Sequence, residues 1–343
     1  MVNRRPGDYA IALQVSGPRA GETCEMQRAH VAALPTRYTS RVRKQIQGAL
    51  ALVKASVALA SGHLAHERVF GHVDDDVWFA INTTAYRRYG LLRRVLPSLP
   101  DPETQIAFIG SADDRALWEA FRTYQLVRAL SARADQPITR ASHILDFGCG
   151  WGRTIRFFLR DTPAAQLYGV DVMQAAVDLC RRTNPWCQFS LVSPQPPAVL
   201  PGERFDVIYL YSVFSHLSEQ THDRWLTEFH RLLRPGGLLF ATTWQREYIE
   251  RCERARQGNT AGTHSGSLGA FVGTDAWLAR YDRGEFCHSP VGGGRALSED
   301  FYGETCIPES YVRRRWSDRF QLLDYLEAGR DALWQNLVVA KRR

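Results

Sequence analysis

The sequence predicts an α/β protein built on a doubly wound, mostly parallel sheet of seven strands, with a helical extension before it and an insertion after its fifth strand. Three observations predict this fold. From residue 143 onward, short apolar runs alternate with helical patterns. The first of these runs ends in a glycine-rich turn, "ILDFGCGWGR" at residues 144–153. The segment between the fifth and sixth runs, about residues 245–311, is much longer than an ordinary connection.

Residues 1–45 show no sustained periodicity and contain several glycines and prolines, so we expect a flexible tail. Their eight Arg/Lys and three Asp/Glu give +5 of the net charge of +7, which makes the tail basic. The whole chain has forty arginines against three lysines, a bias that indicates overall composition rather than phosphate recognition. We therefore do not expect a nucleic-acid partner, although a basic arm that contacts RNA remains open as an alternative.

Residues 46–135 have a helical pattern and are expected to form an N-terminal region that covers the edge of the sheet. Within this region, Ser111 and Asp114 have the spacing of a capping box. Residues 136–343 form the predicted main domain. Its seven predicted strands lie, in order, in "HILDFG", "QLYGVDV", "CQFSLV", "RFDVIYL", "LLFATTW", "FQLLDYL" and "QNLVVAKR".

Cysteine usage and hydropathy indicate where the protein resides. The seven cysteines contain no C-x-x-C pair, which predicts reduced thiols, without a disulfide framework or a zinc site. We expect no metal. No run is long and uncharged enough to span a bilayer, and no apolar signal core follows the N-terminus. The expected location is therefore cytoplasmic, with no membrane partner.

The glycine turn places Gly148, Gly150 and Gly152 at alternate positions, a pattern that lets a ligand approach bare backbone. A dinucleotide fingerprint would require a third glycine where Arg153 stands, and a phosphate-binding P-loop would require a lysine nearby. Asp146 would repel a pyrophosphate but suits a ligand that carries an ammonium group. A tight turn without any ligand is the alternative interpretation.

Asp171 lies 21 residues beyond Gly150, at the end of the second predicted strand. A carboxylate in this position can accept hydrogen bonds from both hydroxyls of an adenosine ribose. The alternative is a helix N-cap, because "DVMQAAVDL" could begin a helix at this aspartate.

Residues 143–245 resemble the class I S-adenosylmethionine-dependent methyltransferases, through "ILDFGCGWGR", "GVDV", "FDVIYLYSVFSHL" and "LLRPGGLLFATT". The resemblance implies a Rossmann-like methyltransferase fold and S-adenosylmethionine as cofactor. It places Asp146, Gly148 and Gly150 at the methionine end of the cofactor and Asp171 at the ribose. Val192 and Ser193 would edge the adenine, in place of the more usual acidic or amide residue. The neighbouring motif residues expected at the cofactor are Phe147, Cys149, Gly152 and Val172, with Cys149 a small spacer rather than a nucleophile.

His216 in "YSVFSHLSE" follows the fourth strand and is the candidate base for a hydroxyl acceptor; a packing role is the alternative. Methyltransferases that act on amino groups of bases or glutamine commonly carry an Asn/Asp-Pro-Pro-aromatic stretch here, which this chain lacks. We therefore expect O-methylation of a small molecule or a sugar or glycan. The segments "GEFCHSP" and "FYGE" resemble methyltransferases of bacterial glycan and natural-product biosynthesis.

The insertion at about 245–311 is rich in aromatic residues, histidines and glycines, which suits a lid or acceptor pocket. Its candidate residues are His264, His288, Tyr302 and Glu304. The insertion could instead pack against the N-terminal helices or form a homodimer contact. Two other functions remain open: an NAD-dependent oxidoreductase, and a nucleic-acid-binding protein that retains the cofactor fold.

Overall fold

The computed structural model describes residues 36–259, 268–293, 297–329 and 333–343. A seven-stranded sheet has the strand order β3-β2-β1-β4-β5-β9-β8, and β6 and β7 form a separate two-stranded sheet. The strands are β1 Ile144–Phe147, β2 Leu167–Asp171, β3 Gln188–Leu191, β4 Phe205–Leu210, β5 Leu233–Thr243, β6 Cys287–Ser289, β7 Glu304–Cys306, β8 Phe320–Leu326 and β9 Asn336–Arg342.

Strands β1 to β5 are parallel, and β9 lies antiparallel between β5 and β8. The predicted doubly wound, mostly parallel sheet is therefore confirmed. The chain reverses its direction of winding between β1 and β4. A ligand crevice is expected at the carboxyl ends of these two strands, where such a reversal leaves the sheet edge open.

Two cores cover the two faces of the sheet. Consecutive β1 residues divide between them, because side chains of a strand alternate in direction: Ile144 belongs to one core and Leu145 to the other. The helices are α1 Thr36–Ser61, α2 His66–Phe70, α3 Asp75–Asn82, α4 Thr84–Arg88, α5 Gly90–Val95, α6 Pro102–Ile109, α7 Asp113–Arg133, α8 Ile155–Phe158, α9 Gln174–Thr183, α10 Glu219–Leu232, α11 Arg246–Arg256, α12 Thr274–Asp282 and α13 Glu309–Arg315.

Helix α1 begins at Thr36, so the predicted boundary of the tail at residue 45 is wrong by about ten residues. The reason is that residues 36–45 contain a single aliphatic residue, Val42, so the sequence shows no apolar periodicity before Ile46. Residues 1–35 lie outside the described residues.

The predicted capping box is also wrong. Helix α7 has Ala112 at its N-cap, with no side-chain cap. The backbone N–H of Asp113 instead donates to Oε1 of Gln105 at 2.9 Å, because α6 lies close enough to supply the acceptor. Ser111 is therefore not needed at this position.

The insertion between β5 and β8 contains α11, α12, the β6–β7 pair and α13. Trp244, Tyr248, Phe271, Cys287 and Cys306 belong to a small core of its own. The β6–β7 pair was not predicted from the sequence, because each strand is only three residues long. In the part of the chain that the structure describes, no helix is long and apolar enough to cross a membrane.

Candidate active site

The glycine turn after β1 requires glycine at all three positions. Gly148, Gly150 and Gly152 have φ values of 75°, 53° and 75°, in the left-handed region that side chains rarely adopt. A Cβ on Gly148 would lie 2.5 Å from Cγ2 of Val213, which follows β4. A Cβ on Gly150 would lie 3.7 Å from the ring of Phe108 in α6. The turn therefore lies between the segment after β4 and the N-terminal helices.

Asp171 links this turn to the start of α9. Its Oδ2 accepts the backbone N–H of Gly150 at 2.9 Å, and its Oδ1 accepts that of Met173 at 2.9 Å. Met173 is the N-cap residue of α9, so Asp171 lies two residues before the cap and is not itself the cap. Each carboxylate oxygen has a second lone pair, so Asp171 can still accept hydrogen bonds from a ligand.

Asp146 lies within β1 and is almost completely buried. Burial raises the pKa of its carboxyl to about 7, and the negative charge of nearby Asp171 also raises that pKa. A carboxyl with this pKa is only partly ionised at neutral pH. A cationic group bound beside Asp146 would favour the ionised form and would gain a low-dielectric ion pair.

The other predicted cofactor residues surround the turn at different depths. The Phe147 ring packs on Trp225, with ring centroids 4.5 Å apart, so only its backbone faces the turn. Cys149 is buried beneath the turn. Val172 is half-buried, Val192 is buried and Ser193 is exposed. The Val192 N–H donates to the backbone oxygen of Asp171 at 3.0 Å, so the ends of β2 and β3 are held side by side.

His216 is buried just beyond β4, where the insertion meets the main sheet. Its Nδ1 lies 2.9 Å from the carbonyl oxygen of Gly303, which can only accept a hydrogen bond, so Nδ1 carries the proton. Burial lowers the pKa of His216 to about 4, so the ring is neutral at neutral pH. Its Nε2 then carries a lone pair and can accept a hydrogen bond, and the Nε2 atom lies 3.3 Å from Oγ of Ser212.

A hydrogen-bonded network positions Ser212. Gln335 donates from Nε2 to the Ser212 hydroxyl at 3.0 Å, and the same amide accepts from Thr242 at 2.6 Å through Oε1. Ser212 has a φ of 59°, a strained conformation for a residue with a side chain. Strain of this kind often marks functional sites. The network connects β4, β5 and the start of β9 to the imidazole.

Three of the four candidates from the insertion lie around His216. The Tyr302 ring stacks on the imidazole with centroids 4.9 Å apart and planes 7° apart. Oε1 of Glu304 lies 3.7 Å from Nδ1 of His216. His288 contacts Oγ1 of Thr305 through Nδ1 at 2.8 Å, and its buried Nε2 has no hydrogen-bond partner among the described residues. The fourth candidate, His264, lies outside the described residues.

Comparison with known proteins identifies the central part of the chain. A family described as "Methyltransferase domain" matches residues 145–239. A trans-aconitate 2-methyltransferase from Paracidovorax citrulli is 27% identical over 124 residues, which is 36% of this chain and 47% of that protein. A fatty-acid O-methyltransferase from Mycolicibacterium smegmatis is 31% identical over 133 residues, which is 38% of this chain and 47% of that protein.

Residues 145–239 form a class I S-adenosylmethionine-dependent methyltransferase domain. The chain spans about half the length of the curated relatives that it matches. An S-adenosylmethionine-dependent methyltransferase from Mesorhizobium loti, among the solved structures, is 17% identical with a TM-score of 0.42; the match covers 62% of this chain and 96% of that one.

The residues of the methyltransferase domain fit S-adenosylmethionine. The three left-handed glycines expose backbone at the carboxyl end of β1, and the buried carboxyl of Asp146 could pair with the ammonium group of the methionine part. The carboxylate oxygens of Asp171, at the end of β2, could accept hydrogen bonds from the ribose hydroxyls. Arg153 occupies the position where a dinucleotide site needs its third glycine, and its guanidinium pairs with Glu119 at 3.1 Å. The NAD-dependent alternative is therefore set aside.

Sequence reasoning missed several residues of this site. Ser212 and Val213 contact the site and lie within "FDVIYLYSVFSHL", but they are not among the predicted site residues. Gln335 and Phe108 contact the site and belong to no motif, and Phe108 reaches the glycine turn from a separate helical region. A signal existed for Ser212 and Val213, because they directly follow a predicted strand at the ligand edge. For Gln335 and Phe108 the sequence offers no signal, since their proximity depends on tertiary packing.

Proposed function

We propose that the whole chain is a methyltransferase that methylates an oxygen atom of a small molecule, with a hydroxyl group of a sugar or related metabolite as the acceptor. The domain assignment supports methyl transfer, and the names of the relatives support a small-molecule acceptor. The observation that carries the choice of a hydroxyl is His216, a neutral imidazole held by its Nδ1 three residues after Val213, the residue that lies against Gly148 of the glycine turn.

A hydroxyl acceptor must lose its proton as its oxygen attacks the methyl carbon. S-adenosylmethionine supplies an electrophilic methyl group on a sulfonium. The Gly303 carbonyl holds the proton of His216 on Nδ1, so that Nε2 can take the proton of the acceptor. Ser212 lies on the Nε2 side of the ring, and its hydroxyl can donate a hydrogen bond to Nε2 until the hydroxyl of the acceptor replaces it or shares Nε2 with it.

The insertion supplies the walls of the proposed acceptor pocket. Tyr302 covers one face of the imidazole and excludes water from it. The unpartnered Nε2 of His288 is a buried polar atom that a hydroxyl of the acceptor could satisfy. An aromatic face combined with a few fixed polar atoms is typical of pockets for small polar molecules.

A carboxylic acid is the second candidate acceptor, because two of the relatives are named after acids. A carboxylate is already ionised at neutral pH and needs no base. The two candidates therefore make different demands on His216.

The test is transfer of a labelled methyl group to panels of hydroxyl-bearing and carboxyl-bearing small molecules, with the wild type and His216→Gln. For a hydroxyl acceptor, His216→Gln should lower kcat by about 100-fold or more while leaving the affinity for S-adenosylmethionine within a few-fold. A decrease in kcat of less than about threefold on the best acceptor would indicate that His216 has only a packing role and would favour a carboxylic acid as the acceptor. Failure of every acceptor in both panels would contradict a small-molecule substrate.

A further inference from the structure

A second cleft lies at the edge of the sheet opposite the glycine turn. Its volume is about 460 Å³, and its walls come from α1, α2 and the segments that lead into β1 and β2. Residues 139–140 precede β1 and residues 160–161 precede β2, so the cleft lies at the amino ends of these strands. The cofactor residues follow the carboxyl ends of the same strands. A ligand in the cleft would therefore be separated from the cofactor by the length of the strands.

Positive charge exceeds negative charge in this cleft. Four cations and two carboxylates line it: Lys54, Arg68, Arg140, Arg160, Glu67 and Asp161. Arg160 pairs with Asp75 at 2.5 Å, and Asp161 pairs with Arg128 at 3.2 Å. Partners outside the cleft therefore compensate these two charges. Three cations and the carboxylate of Glu67 remain, which is a surplus of two positive charges.

Two of these cations are held in place by neutral groups. Nζ of Lys54 lies 3.3 Å from Nδ1 of His72, which also lines the cleft, and donates to it because an ammonium group can only donate. Burial lowers the pKa of His72, and the positive charge of Lys54 lowers it further, so the imidazole is largely neutral at neutral pH. Arg140 donates to the backbone oxygen of Glu67 at 3.4 Å. These contacts position both cations without cancelling their charge.

The cleft also provides hydrogen-bond donors that remain available to a ligand. Nε of Arg68 lies 3.8 Å from Oε1 of Glu67, which is too far for a hydrogen bond. Oγ1 of Thr139 accepts the N–H of Ala141 at 3.2 Å, and its hydroxyl proton has no acceptor among the described residues. An ammonium group, two guanidinium groups and a hydroxyl therefore meet at one cleft from separate elements. An oxyanion with several acceptor oxygens matches such a set of donors.

We propose that this cleft binds the phosphate group of a small phosphorylated molecule. A phosphate monoester carries a charge of about −1.5 to −2 at neutral pH, which balances the surplus in the cleft. A volume of about 460 Å³ lies within the range of small-molecule pockets, so the cleft also has room for the group that bears the phosphate. A nucleic acid would contact several phosphates along a basic stripe, whereas Lys54, Arg68 and Arg140 converge on one cleft.

The test is calorimetric titration of the full-length chain with inorganic phosphate and with glycerol 3-phosphate, at neutral pH and constant ionic strength. The wild type should bind one equivalent of either probe. Lys54→Gln and Arg140→Gln should each weaken binding by about tenfold or more, because each removes a charge-assisted hydrogen bond. Lys44→Gln is the matched control: it makes the same change on the same helix, at a lysine that pairs with Asp76, and should bind like the wild type. Lys54 is half-buried and Arg140 is exposed, so melting temperatures without ligand should stay unchanged.

Competition distinguishes this cleft from the cofactor site. Saturating S-adenosylmethionine should leave both probes bound, whereas displacement of phosphate by the cofactor would overturn the proposal. The absence of saturable binding by the wild type, or equal binding by all four proteins, would also overturn it. Binding of inorganic phosphate but not of glycerol 3-phosphate would overturn it in favour of free phosphate. Binding of single-stranded RNA but of neither probe, lost in Lys54→Gln and Arg140→Gln, would overturn it in favour of a nucleic acid.

Discussion

The buried carboxyl of Asp146 predicts that the affinity for S-adenosylmethionine depends on pH in the neutral range. Burial raises its pKa to about 7, and only the ionised form can pair with the ammonium group of the cofactor. That ammonium group, with an ordinary pKa of about 7.7 to 8.0, is about two-thirds protonated at pH 7.5 and almost fully protonated at pH 5.5. Between pH 7.5 and 5.5 the ionised fraction of Asp146 falls about 25-fold, so after the gain in ammonium protonation the dissociation constant should rise by about 15- to 20-fold.

Isothermal titration across this pH range measures the effect directly. Asp146→Asn is the control, because an amide does not titrate: its affinity should be weaker at pH 7.5 and nearly independent of pH. Burial also raises the pKa of Asp171, so any slope that remains in Asp146→Asn belongs to Asp171. His216, with a pKa of about 4, stays neutral throughout. A change of less than twofold in the wild type would show that Asp146 does not meet the ammonium group.

Three further predictions concern stability, the glycine turn and the contact between Gly303 and His216. Without cofactor, the raised pKa of Asp146 means that the folded state binds more protons than the unfolded state, so the free energy of unfolding should fall as pH rises from about 4 to 7. Asp146→Asn should remove this fall. The same pH dependence of stability in the wild type and in Asp146→Asn would contradict the prediction. Gly148→Ala should weaken S-adenosylmethionine binding at least tenfold, since its Cβ would lie 2.5 Å from Cγ2 of Val213. The control is Gly62→Ala, at a glycine with a φ of 71° and open space around it, which should cost about 1–2 kcal/mol of stability and leave the affinity unchanged. Equal affinity losses in titrations of the two would refute the steric argument. Gly303→Ala would bring a Cβ to 2.1 Å from the backbone oxygen of Ser289, so the chain must shift at Gly303, whose own carbonyl oxygen accepts the proton of His216 Nδ1. The substitution should therefore lower kcat more than cofactor affinity, and the reverse pattern in steady-state kinetics would place Gly303 outside the acceptor side.

The sequence predicted the sheet and the cofactor end of the site because both are encoded locally. Buried parallel strands are continuous apolar runs, and the glycines of the turn are needed for their own backbone angles. Asp146 and Asp171 could be placed at the same sheet edge because parallel strands end together. These signals require no knowledge of distant contacts.

The acceptor side could be predicted only in part, because it is assembled from distant segments. His216 was found as a residue after β4, but its partner Gly303 lies 87 residues away and its neighbour Ser212 is positioned by Gln335. The start of α1 was missed for a different reason. Residues 36–45 contain one aliphatic residue, Val42, so no apolar period marks the first turns of this helix.

The central claim is that this fold binds S-adenosylmethionine at the carboxyl ends of β1 and β2. Titration of S-adenosylmethionine into the wild type and into Asp171→Ala tests it most directly. Removing two hydrogen bonds from ribose hydroxyls to a charged group should cost about 2–4 kcal/mol after resolvation, which is a roughly 30- to 1000-fold weaker dissociation constant. Asp171→Asn should be milder, because the amide keeps one acceptor oxygen. Melting curves without cofactor should show a separate loss of stability, since Asp171 also holds the N–H groups of Gly150 and Met173. The account predicts tight binding by the wild type, no comparable binding of NAD, and this graded loss; an unchanged dissociation constant in a folded Asp171→Ala variant would contradict it.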